Sequence, residues 1–262
     1  MRRSLLVSAL ENLAFNYRYS QRLAVFELGR VYLPERGQDR RPLEERRLSL
    51  LLTGTRRPLS VHTDPAGTES FDFFDLKGIL ETLFACLGLA SDDVEYVAKR
   101  DHPSFTPTCA ELKIKGEVCG IMGEVHPLVL QAFDVPAAAR VYVADIALEP
   151  LVKPGWLRQP IRPISNYPPV VEDLAFVVDE SVTAAQLQDA MRKAAGPLLV
   201  NVELFDIYRG QPVPAGKKSM AYRLTYESLE SNLSDARVAD IRKRIVRRVA
   251  DTVGGTLREQ AS

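Results

Sequence analysis

Residues 200–226 read VNVELFDIYRGQPVPAGKKSMAYRLTY, and the architecture of the C-terminal part turns on them. Val200 to Tyr208 alternates apolar and polar side chains for most of its length, the pattern of a half-buried strand. Gly210 to Gly216 is a loop of glycine and proline, and Ser219 to Glu227 returns to strand composition. Working upstream, Leu174 to Val178 reads as a strand. Thr183 to Ala195 reads as a helix that opens on the capping box Thr-Ala-Ala-Gln and ends at Gly196-Pro197. Downstream, Ser234 caps a long helix whose apolar stripe is Val238, Ile241, Ile245 and Val249. Gly254-Gly255 closes that helix, and Thr256 to Arg258 forms a last short strand.

The resulting order, βαββαβ, is the split βαβ plan of ferredoxin-like domains, which specifies a fold and not a function. Further upstream, Pro150, Pro154, Pro160, Pro163, Pro168 and Pro169 crowd about twenty residues. Proline lacks a backbone donor and holds its predecessor extended, so a linker is expected there. The organisation expected is therefore α+β, with a first domain at 1–150, a proline-rich linker at 151–164 and a second domain at 165–260. Within the first domain, Leu5 to Tyr17 has helical spacing. Ala24 to Tyr32 and Leu48 to Thr53 read as strands, with Leu33 to Arg47 as a charged loop between them. Asp75 to Leu87 reads as a helix stopped by Gly88. Short strands follow at Val94 to Ala98, Ala110 to Ile114, Val118 to Glu124 and Val141 to Ile146, with Gly116 turning the middle pair.

Composition narrows the class. With 46% hydrophobic and 26% charged residues, the balance is that of a soluble globular chain, not of a disordered or fibrous one. Thirty-four basic residues balance 34 acidic ones, so any polyanion site must be local. Cys86, Cys109 and Cys119 are odd in number and unpatterned, which fits a reducing cytoplasm. No apolar run reaches the roughly 18 residues of a membrane span. The basic start at Arg2-Arg3 is followed by too short an apolar stretch for a signal peptide.

Several spaced motifs carry a resemblance. Leu204-Phe205-Asp206-Ile207-Tyr208-Arg209-Gly210, Gly216-Lys217-Lys218-Ser219-Met220-Ala221-Tyr222-Arg223-Leu224, Asn232-Leu233-Ser234-Asp235 and Thr256-Leu257-Arg258 together resemble the ferredoxin-fold anticodon-binding domain of bacterial phenylalanyl-tRNA synthetase β subunits. Tyr167-Pro168-Pro169-Val170 and Asp173-Leu174-Ala175 fit its opening strand. Glu172 departs from the family, which commonly has arginine before the aspartate. Phe26-Glu27-Leu28-Gly29-Arg30-Val31-Tyr32, Asp72-Phe73-Phe74-Asp75-Leu76-Lys77-Gly78 and Gly123-Glu124-Val125-His126-Pro127 are similar to the preceding module of the same subunit. That module resembles a class II synthetase antiparallel-sheet domain without its catalytic residues.

The resemblance implies a C-terminal portion of a longer subunit, with Met1 an internal methionine of a fragment or truncated frame. It implies tRNA(Phe) and a catalytic α subunit as partners in an α2β2 heterotetramer, with no membrane. ATP and magnesium would serve the holoenzyme, and no cofactor is expected on this chain. Two other classes stay open: a free-standing RNA-binding module, and an assembly scaffold without RNA binding, for which Glu172 is the sequence hint.

No catalytic residues are expected. Adenylation brings anions together and needs cationic neutralisation, and no glycine-rich arginine motif for it is present. Gly120-Ile-Met-Gly123 is no phosphate loop. His102, Cys109, Cys119 and His126 are too widely spaced for a zinc knuckle, so packed cysteines and turn histidines are expected instead of a metal site. RNA binding is the sharper reading, because a four-stranded sheet can stack unpaired bases on aromatics while basic residues hold phosphates. The candidates are Phe205, Tyr208, Arg209, Lys217, Lys218, Tyr222, Arg223 and Tyr226, with Arg244 and Arg248 from the run Arg242-Lys243-Arg244 and Arg247-Arg248 on the long helix. Alternation places Tyr222 and Tyr226 on one face of their strand and Arg223 on the other, and Phe205 and Tyr208 on opposite faces. From Ser165 onward 13 basic residues meet 13 acidic ones, so affinity for RNA should be modest.

Overall fold

The computed structural model describes residues 1–36, 42–58, 69–152 and 163–258. The chain divides into two compact units, Met1–Pro160 and Ile161–Ser262. Pro154 and Pro160, with most of the expected linker, lie outside the described residues.

The first unit contains α1 (Leu6–Tyr17), β1 (Leu23–Arg36), β2 (Pro42–Thr53), α2 (Phe73–Cys86), β3 (Val94–Ala98), β4 (Phe105–Ile114), β5 (Glu117–Val125), α3 (Pro127–Ala132) and β6 (Val141–Ala147). Its strands form one antiparallel sheet in the order β1-β2-β6-β5-β4-β3. Every residue of β6 is buried, because both sheet faces are covered around it. Leu76, Leu80 and Phe84 of α2 pack on one face against Leu112, Met122 and Tyr142. Leu10 and Leu13 of α1 and Leu130 of α3 pack on the other against Cys109, Val141 and Val143. Each such fully buried leucine contributes roughly 1.5–3 kcal/mol.

Caps fix where these helices begin. Asp72 accepts from the Phe74 and Asp75 amides while Asp75 accepts from the Asp72 amide, closing a capping box at α2. At α1 the cap comes from far along the chain. Oδ2 of the buried Asp145 accepts from the Ser4 hydroxyl at 2.8 Å and the Leu5 amide at 3.2 Å, and Arg47 Nε donates to Oδ1 at 2.6 Å. His126 caps α3, its Nδ1 accepting from the Leu128 amide at 3.2 Å. His102 likewise accepts from the Ser104 amide at 3.2 Å.

One expectation is corrected here. Leu33 to Arg47 is mostly strand, since β1 runs to Arg36, β2 starts at Pro42, and Tyr32 pairs with Glu44 and Leu33 with Leu43. The ribbon is largely exposed, and Arg30 meets Glu44 across it at 3.0 Å. Charge therefore pairs across strands, and no apolar alternation marks them. Helix α3 was absent from the sequence reading because six residues are too few to show a period.

The second unit contains β7 (Val170–Asp179), α4 (Ala184–Ala195), β8 (Leu199–Tyr208), β9 (Lys217–Tyr226), α5 (Asp235–Val253) and β10 (Thr256–Leu257). The strands pair antiparallel in the order β10-β7-β9-β8, which is the expected ferredoxin-like arrangement. Thr183 and Gln186 form the capping box of α4. Ser234 caps α5, and Gly254 ends it at φ +64°, a left-handed position that glycine occupies without strain. All four residues of the stripe Val238, Ile241, Ile245 and Val249 are buried. With Leu187 and Met191 of α4 they cover one face of the sheet over Phe176, Met220, Tyr222, Leu224 and Tyr226. Among the described residues, no element of this unit covers the opposite face.

Candidate nucleic-acid interface

The open face is built by alternation. Along β9 the even positions from Met220 to Tyr226 point into the core, so Ala221, Arg223 and Thr225 point out. Register then aligns rows across the strands. Asp173, Arg223 and Glu203 share one row; Ala175, Ala221 and Asp206 share the next; Val177, Ser219 and Tyr208 share a third, which Thr256 extends. The middle row is a floor of two alanines, low enough for a flat ligand to lie on the sheet.

A bulge supplies the walls. Pairing of β8 with β9 skips from Leu204↔Tyr222 to Asp206↔Ala221, leaving Phe205 as the extra residue. An extra residue shifts the parity of everything after it. Strict alternation would put Phe205 and Tyr208 on opposite faces; the bulge brings both to the open one, which corrects the sequence reading. Phe205 lies beneath the Arg223 guanidinium, 5.3 Å from carbon to ring centroid. Tyr208 lies beneath Arg258 at 5.6 Å, and its hydroxyl donates to the Gln211 carbonyl at 2.6 Å. The floor thus sits between two arginine–aromatic stacks.

The remaining candidates divide among other places. Tyr222 and Tyr226 are fully buried beneath α4 and α5, and burial pushes both phenols above their ordinary range. As folded, neither ring meets a ligand on the open face. Lys218 points inward, its ammonium donating to the Glu180 carbonyl at 2.8 Å. Lys217 pairs with Asp179 at 3.1 Å, and Arg209 donates twice to Glu180, at 2.6 and 3.0 Å, beside the Gly/Pro loop. Arg244 and Arg248 are exposed on α5, in the layer opposite the open face. They cannot share a ligand surface with Phe205 and Tyr208 unless the ligand wraps the domain.

Charge on the open face is largely neutralised in place. Arg223 donates to both Asp173 oxygens at 2.9 Å, and these bonds hold the Asp173 carboxyl below its usual range. Arg258 has no carboxylate partner among the described residues, so it is the free cation here. Two participants were missed in the sequence. Arg258 was visible only as the end of a motif, and Asp206 gained its place from the bulge. Asp206 adds an acceptor for base N–H groups in the floor row.

Glu172 is on the helix side. It pairs across from Leu224 in the core-facing row and meets Arg242 of α5 in a close ion pair. It therefore gives no sign that the open face has decayed. Among the described residues, no group of three or more His, Cys, Asp or Glu side chains is placed to hold a metal ion. No helix among them is long and apolar enough to cross a membrane.

Comparison with known proteins bears on both units. Residues 1–148 match the model of the phenylalanyl tRNA synthetase beta chain CLM domain, and residues 165–258 match that of the ferredoxin-fold anticodon binding domain. The chain is 33% identical over 98% of its length to a phenylalanine–tRNA ligase beta subunit of Clostridium acetobutylicum, covering 30% of that protein. It is 37% identical to the beta subunit of Geobacillus kaustophilus and 39% to that of Moorella thermoacetica, covering 31% of each. The chain thus spans about 30% of the length of these curated relatives.

Proposed function

Because the chain belongs to the phenylalanyl-tRNA synthetase β-chain family, we propose that its second unit reads the anticodon loop of tRNA(Phe) on the open sheet face. The observation that carries this reading is the alanine floor between the Phe205–Arg223 and Tyr208–Arg258 stacks. Unpaired anticodon bases expose flat π faces and free hydrogen-bonding edges, and a floor of that height admits one. Stacking against aromatics contributes about 1–3 kcal/mol per base, enough to discriminate a presented loop without a strongly cationic surface.

The first unit would serve as the catalytically silent synthetase-like module that supports an α subunit, within an α2β2 assembly acting in the cytoplasm. Aminoacylation with phenylalanine, and the ATP and magnesium it consumes, would belong to that α subunit. This chain's share is positioning: holding the anticodon end while the acceptor end reaches the partner's site. A free-standing RNA-binding role would keep the same face and dispense with α.

The test is salt-titrated binding of the chain to a phenylalanine tRNA transcript beside one with an altered anticodon. Preference for the correct anticodon that persists with rising salt is the expected result. Equal affinity for both transcripts, collapsing together as salt rises, would reduce the interaction to a nonspecific basic patch on α5 and overturn the reading.

A further inference from the structure

Arg223 stands at the rim of the alanine floor, where an arginine would ordinarily be read as a phosphate clamp. Its surroundings argue otherwise. Two of its five N–H groups are taken by Asp173, each at 2.9 Å, in the bidentate geometry that carboxylates share with phosphates. Its guanidinium carbon lies over the Phe205 ring, 5.3 Å from the centroid. Cation and carboxylate cancel at the rim, so what Arg223 presents to solvent is a flat, neutralised π-like surface. The same treatment is given to Arg209 by Glu180 and to Lys217 by Asp179 at the loop end of the sheet.

We propose that Asp173 is a positioning residue for recognition: it pins Arg223 over Phe205 and masks its charge, so that this corner stacks a base instead of attracting any phosphate. The inference rests on the open face being the RNA-reading surface and adds to it how selectivity is kept. A bare arginine at the rim would strengthen binding to every RNA alike, because phosphate contacts carry no base information. A masked arginine adds stacking area whose value depends on which base is presented and how it sits.

The experiment compares the chain with D173N, the double variant D173N/R223Q, and F205A/Y208A, each checked for unchanged thermal unfolding. Binding to phenylalanine tRNA and to the altered-anticodon transcript is measured across a salt series. D173N leaves only the neighbouring Glu203 carboxylate beside Arg223, so it should unmask the arginine and steepen the dependence of log K on log salt by up to about 0.7 for both RNAs, the increment for one phosphate of a single strand. Its preference for the correct anticodon should fall by roughly tenfold, within the span of one lost stacking contact. D173N/R223Q should keep the parent's salt slope and lose preference to a similar extent. If the double variant instead shows a slope about 0.7 shallower than the parent, Arg223 contacts phosphate in the native complex and the inference is wrong. If D173N keeps both slope and preference, Asp173 has no positioning role. Should F205A/Y208A bind as the parent does, the open face itself is not the reading surface, and the failure lies one level deeper.

Discussion

Arg258 reaches across the open sheet from beyond β10 to lie over the ring of Tyr208 on β8, 5.6 Å from its centroid. The contact joins the first and last strands of the order β10-β7-β9-β8 and fixes the Tyr208 ring from above while its hydroxyl is held by Gln211. Arg258 lacks a carboxylate partner among the described residues, unlike Arg223. Its removal should therefore show two signatures at once. In R258A the salt slope for RNA should become shallower by about 0.7, and affinity should fall. Y208A should lower affinity by about 1–3 kcal/mol with the slope unchanged. A salt titration of both variants checks the division of labour.

The tyrosines of β9 make the opposite prediction. Tyr222 and Tyr226 are completely buried among the side chains of α4 and α5. Truncation to alanine leaves a large cavity, and Y222A should lose about 3–5 kcal/mol of stability. Y208A, on an exposed face, should unfold at nearly the parental denaturant concentration. Denaturation of the two variants side by side separates core from interface within one residue type.

Much of this was legible in the sequence, for identifiable reasons. The stripe Val238, Ile241, Ile245 and Val249 repeats at helical spacing, and Thr183 with Gln186 spells a capping box, so both helices of the second unit could be read directly. The parity of β9 was also visible, and it places Tyr222 and Arg223 on opposite faces. What hid was anything depending on pairing between segments. The bulge at Phe205 exists only relative to β9, so the convergence of Phe205 and Tyr208 could not be seen from β8 alone. The described residues at the end of this ribbon carry no one-sided pattern, because Leu33 is half-buried and Pro34, Pro42, Leu43 and Glu44 are exposed. The cap that Asp145 gives α1 spans 140 residues of sequence, beyond the reach of any local motif.

Thiol chemistry offers a check on the first unit. Cys109 and Cys119 are buried, and burial pushes both thiols up to about 11, whereas Cys86 is exposed at the end of α2. The thiolate is the reactive species, so buried thiols held protonated react slowly. At pH 8 the native chain should release one equivalent of chromophore rapidly with a disulfide reagent and the other two only on unfolding. C86S should abolish the fast phase. A second fast thiol would mean that the sheet opens locally around β4 or β5.

The strand-to-helix pair of Glu172 and Arg242 gives a prediction in pH. Burial raises the Glu172 carboxyl above its ordinary range, and Arg242 opposes that only in part. Its second oxygen, Oε2, and the Tyr226 hydroxyl are both buried, and what Tyr226 returns to the ionised carboxyl is smaller than what burial takes from it. A raised folded-state pKa means that the folded chain binds the proton more tightly than the unfolded chain. The associated stability is fully present below the unfolded value, about 4.3, and is lost as pH rises through the folded pKa. Ionised Glu172 is thus a net cost at neutral pH, despite its ion pair. E172Q keeps the shape, lets the amide face Arg242 or Tyr226 without charge, and removes the titration. Its melting temperature relative to the parent should be higher at pH 7 than at pH 4.5, with a neutral-pH gain of up to about 1 kcal/mol after allowing for the partly exposed arginine. Thermal melts of both proteins at the two pH values decide the matter: a variant less stable at pH 7 than at pH 4.5, relative to the parent, would show that the Arg242 contact outweighs burial.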